Sequence, residues 1–160
     1  MAEAISEPYR MRGHRVVERS PLYIYTVAKT TCDRLGIERG MDMAMFMDSL
    51  YDKIGINIEV EFDANWHIPA SAACEPDSLR IVMPEKLYRK ICNWNPRALS
   101  ILFHELGHIA LGHKPLLHYS NEIPSQEQDA EWQADFFADA IMRKLKIEQN
   151  PKQREFDFDT

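Results

Sequence analysis

The chain has 160 residues, 45% of them hydrophobic and 28% charged, with a net charge of −6. That is one domain's worth of sequence with enough apolar residues for its own core. Acids and bases are intermixed, which argues against direct nucleic-acid binding, since that needs a clustered basic face. No run approaches the roughly 20 apolar residues that span a bilayer, and the opening MAEAISEPYRMRGHR has no apolar core of a secretory signal.

Cys32, Cys74 and Cys92 are odd in number and widely spaced. They read as reduced thiols rather than a disulfide framework or a thiolate metal site, and the expected location is cytoplasmic.

Residues 1–19 are polar and aperiodic, and the expectation is a flexible arm. A single domain then covers 20–148, and 149–160 is an acidic tail without expected order. Ser20-Pro21 reads as N-cap and first helical position, with the helix stopping at Gly36. MDMAMFMDSLYDKI (41–54) reads as a second helix, because Phe46, Leu50 and Ile54 repeat at helical spacing. INIEVEF (56–62) alternates as a half-buried strand does. ASAAC (70–74), a turn at EPDS and LRIVMP (79–84) read as a hairpin, whose edge offers an extended peptide a place to pair. EKLYRKI follows as a short helix. Asn95-Pro96 opens RALSILFHELGHIAL, closed by Gly112. Residues 113–124 form a polar loop. Ser125 and Gln128 form a capping box for a last helix reaching about Leu145.

The chemistry concentrates in His104-Glu105-Leu106-Gly107-His108. On a helix, i and i+4 share a face, so both imidazoles can offer a nitrogen to one tetrahedral ion. Glu105 flanks that ion and can accept a proton from a water activated there. The surrounding Leu99, Ile101, Leu102, Phe103, Leu106 and Ile109 make this a buried helix. Histidines and an acid in such a helix need partners, and a shared metal supplies them.

A third ligand is required. His113 is one candidate, but the spacing of the metzincin pattern fails: Leu111 stands where glycine is needed and Lys114 where histidine is needed. The other candidates are the acids Glu127, Asp129, Glu131, Asp135 and Asp139. Glu131 and Asp135 are i, i+4, with Ala134 and Ala138 near that face to allow close helix approach. Glu131 would ligate, and Asp135 would accept the outer N–H of a ligand imidazole.

FHELGHIALGH (103–113) followed by Glu131-Trp132-Gln133-Ala134-Asp135-Phe136-Phe137-Ala138 resembles the ImmA/IrrE family of bacterial and phage metallopeptidases, with its H-E-x-G-H and E-x-x-A-[ND]-x-F-A motifs. The resemblance covers about residues 21–146. It implies an α+β, gluzincin-like domain with a helical lead-in, a small twisted sheet and two motif helices. It makes His104, His108 and Glu131 the ligands of one Zn2+, with Mn2+ or Fe2+ as other ions such donors accept. Glu105 becomes the general base, and Asp135 takes the [ND] position. The implied activity is endoproteolysis of a protein such as a helix-turn-helix repressor, switching stress or mobile-element genes. The competing reading is a metal-binding regulator or toxin–antitoxin partner that acts by association.

His113, His118 and Tyr119 are candidate donors to the oxyanion that amide hydrolysis creates. Gln153 to Phe158 resembles the short peptide that docks on bacterial sliding clamps, although a merely solubilising tail has the same composition.

Overall fold

The computed structural model describes residues 7–117 and 123–148. It is mixed α+β. The helices are α1 (Pro21–Leu35), α2 (Met43–Ile54), α3 (Glu85–Cys92), α4 (Pro96–Ala110) and α5 (Ala130–Lys144), and the strands are β1 (Asn57–Glu61), β2 (Ala73–Glu75) and β3 (Arg80–Pro84). No described helix is long and apolar enough to cross a membrane.

The local signals act as expected at most boundaries. The Ser20 side chain accepts from the Tyr23 N–H at the start of α1, and Gly36 ends that helix at φ 66°, a conformation glycine adopts without strain. Asn95 caps α4 by accepting from the Ala98 N–H, with Pro96 at the first helical position.

The sheet has the order β1-β3-β2. β3 is central, parallel to β1 (Ile58 opposite Ile81) and antiparallel to β2 (Cys74 opposite Ile81). Ile81, Val82 and Met83 of this middle strand are all buried. β2 is shorter than the hairpin reading implied and begins at Ala73. Upstream, the Ala70 carbonyl accepts from the Trp66 indole N–H at 2.9 Å, so that stretch is tied to a local loop rather than a ladder.

α4 and α5 pack along their length, and α1 lies against α5. Their shared core includes Phe103, Phe137, Leu99, Leu102 and Ile141, each no more than 1% exposed.

Two expectations need correction. Ser125 and Gln128 do meet, Ser125 N–H donating to Gln128 Oε1 at 3.2 Å, but they open only one 3-10 turn, Gln126–Gln128. α5 starts later, at Ala130, and its N-cap is Asp129, whose carboxylate accepts from the Glu131 N–H at 2.9 Å. The lead-in through residue 19 is not a loose arm over its described part. Val16 N–H donates to the Gln128 carbonyl, Ala130 N–H to the His14 carbonyl and Arg19 N–H to the Glu127 carbonyl. Its polarity hid this, because these are backbone bonds to partners more than a hundred residues away.

Candidate metal centre

α4 presents His104 and His108 one turn apart, their rings edge to face with centroids 4.8 Å apart. Their Nε2 atoms approach to 3.2 Å. Glu131 enters from the first turn of α5. Its Oε2 lies 2.8 Å from His104 Nε2 and its Oε1 3.4 Å from His108 Nε2. Close approach of the two helices makes this meeting possible. Gly107 faces Phe137, and Ala134 and Ala138 are buried in the same layer.

These three side chains could hold a metal ion: one ligand atom from each lies within 4.8 Å of the others. The spacings fit such an ion. Tetrahedral bonds of about 2.0–2.2 Å place donors about 3.3 Å apart, and the contacts of 2.8, 3.2 and 3.4 Å straddle that value. The donor chemistry fits too, being two imidazoles and a carboxylate.

The outer nitrogens are also engaged. His104 Nδ1 lies 2.7 Å from Asp135 Oδ1, the contact expected of that acid. Asp135 Oδ2 in turn accepts from Arg12 Nη2 at 2.7 Å. His108 Nδ1 lies 2.8 Å from His113 Nδ1, and His113 Nε2 lies 2.8 Å from Gln133 Oε1. His113 therefore spends both ring nitrogens inward and keeps neither for a substrate oxyanion. His118 and Tyr119 lie outside the described residues, as does the Gln153–Phe158 motif. Glu127, Asp129 and Asp139 do not join the donor set. Asp129 is the helix cap, and Glu127 offers its backbone carbonyl to Gln133.

Burial and charge pull against each other at the centre. Burial disfavours ionised Glu131, but hydrogen bonds from His104 and His108 outweigh it and hold the carboxyl well below its usual range. Burial likewise disfavours charged His104, yet its bonds to Asp135 and Glu131 push it up to about 10. Burial raises the Glu105 carboxyl despite the two neighbouring histidines. Burial lowers His113 to about 4, against the bond to Gln133. The result is a His104–Glu131 ion pair that a cation can replace.

The centre opens on a cleft of about 1460 Å³. One wall is the 70–74 segment with Ser71, Ala72 and Cys74, and the other is the α4 face with Ile101, His104 and Glu105. β2 forms one edge of the sheet beside this cleft.

Arg12, Asp129 and Gln133 were not singled out as supports by the motifs. Asp129 stood only among the candidate ligand acids, and Gln133 was visible only as a polar residue on the motif helix between Glu131 and Asp135. Compared with protein-family models, with curated proteins and with solved structures, the chain matches none.

Proposed function

We propose that this chain is a zinc-dependent endopeptidase of the ImmA/IrrE kind, acting on a protein for which a helix-turn-helix repressor is the candidate. The observation that carries the reading is the convergence of His104, His108 and Glu131 at the cleft, with Glu105 beside them on the cleft wall. His104, His108 and Glu131 would hold a zinc ion, which would supply acidification of a water to a pKa of about 7 and polarisation of the substrate carbonyl. Glu105 takes the proton of the attacking water and returns it to the leaving amine. Asp135 and His113 hold the two imidazoles so that Nε2 of each faces the centre. An extended peptide pairs along the outer edge of β2, which brings its backbone across Glu105.

The test is Glu105→Gln. Purified with zinc, the variant should keep the fold and about one ion per chain, and should lose hydrolysis of its protein substrate by at least about a hundredfold. Full activity in that variant, in the cell or in the tube, would refute the peptidase reading and favour action by association.

A further inference from the structure

All three donors are supported from behind, and all three supports end on the same strip of chain. Asp135 bridges His104 to the Arg12 guanidinium, at 2.7 Å on each side. Gln133 Nε2 donates to two backbone carbonyls, Val17 at 2.9 Å and Glu127 at 2.6 Å. Only an NH2 group can serve two carbonyls, so Gln133 Oε1 must be the atom facing His113. His113 then carries its proton on Nε2 and accepts through Nδ1. His108 must donate from Nδ1, which leaves the Nε2 lone pair turned to the centre. The third donor sits on the helix cap. Asp129, 0% exposed, accepts from Glu131 N–H and also from Tyr9 Oη (2.7 Å), Arg12 N–H (2.8 Å) and Gly13 N–H (3.1 Å). Gly13 lies so close that a Cβ there would stand 2.6 Å from Glu131 Cγ.

We propose that residues 9–17 are a strap that completes the metal centre from outside, setting the orientation of Glu131 and the tautomers of His104 and His108, so that ion affinity depends on the strap being docked. This rests on the metal reading above. The strap holds on by polar bonds. Val16 is the one residue of 9–17 that is fully buried. Its release therefore costs far less than opening the helical core. Arg12, Tyr9 and Gln133 are positioning residues, since none of them reaches the donor atoms' common centre.

The experiment uses the full chain and zinc alone, with affinity read by chelator competition. Outer partners of ligand histidines are worth about 10- to 100-fold in metal affinity. Arg12→Ala should weaken zinc by that factor, with the melting temperature in chelator little changed. Arg12→Lys should recover part of the loss. Tyr9→Phe removes one donor from the Asp129 cluster and should weaken zinc by a smaller factor, even if Arg12→Ala proves unfolded. Nitrogen-15 correlation spectra of the zinc-loaded protein should show neutral His113 protonated at Nε2. Zinc affinity within twofold of the parent in both Arg12→Ala and Tyr9→Phe, or His113 protonated at Nδ1, would overturn the strap. A parent chain that binds no zinc overturns the metal reading itself.

Discussion

Gly107 and Phe137 set the separation of α4 and α5, the two helices that bring His104, His108 and Glu131 together. A Cβ added at Gly107 would stand 2.9 Å from Phe137 Cδ1 and 3.2 Å from both its Cβ and Cγ. Phe137 is fully buried and cannot swing away. Gly107→Ala gains about 1 kcal/mol of helix propensity. Against this, overpacking a tight core costs about 1–3 kcal/mol. The net expectation is a lower melting temperature together with weaker zinc binding, because α5 moves away from α4 and takes Glu131 with it. A Gly107→Ala protein that melts higher and binds zinc equally well would show that this contact does not limit the helix approach.

Asp129→Ala tests which residue starts α5. It removes the cap and leaves the N–H groups of Glu131, Arg12 and Gly13 without their acceptor. Loss of a cap and stranding of buried donors together cost about 3 kcal/mol. Ser125→Ala touches only the single preceding turn and should cost under about 0.5 kcal/mol. Denaturant unfolding of both variants gives the comparison. Equal losses would return the capping role to Ser125.

Cys74 reports on the cleft. Burial, with help from Glu105, Glu75 and Glu131, pushes its thiol up to about 12. At pH 8 only about one such thiol in ten thousand is ionised, and the thiolate is the reactive form. Alkylation at Cys74, followed by peptide mass analysis, should be slow at pH 7 and rise without a plateau to pH 10. Glu105→Gln removes a neighbouring negative charge and should speed it. Rapid labelling of the parent at pH 7 would contradict this environment.

How much was legible in the sequence follows from the range of the interactions. His104, Glu105 and His108 were readable because one helix sets their spacing. Glu131 and Asp135 were readable because a second helical repeat faces the first across small residues. The strap was not. Its bonds to Asp129 and Asp135 join residues 116 to 123 positions apart and rest partly on backbone N–H groups, which carry no sequence signature. The parallel pairing of β1 with β3 was also hidden, because alternation marks a strand but not its partner. His113 is a candidate ligand and oxyanion donor by its place in the loop, yet the contact that orders it comes from Gln133, 20 residues on.

His104 and Glu131 share a proton in the fold, and on the proposed metal reading zinc would have to displace it, which fixes the direction of the site's pH dependence. His104 rises from an ordinary 6.5 to about 10 in the fold. Its raised value means that its stabilising contribution is whole below about 6.5 and is lost as pH climbs through about 10. Glu131 is shifted downward from 4.5, so its contribution is present above about 4.5 and is lost as pH falls. In chelator the melting temperature should therefore hold between about 4.5 and 6.5 and decline toward 10. On the proposed reading zinc would replace the His104 proton, so saturating zinc should remove most of that alkaline decline. Calorimetry at pH 7.5 in two buffers of different ionisation enthalpy should show about one proton released per zinc bound. Binding should weaken as pH falls. A melting temperature in chelator that stays flat to pH 10, with no proton released on binding, would show that His104 and Glu131 do not share a proton in the folded chain.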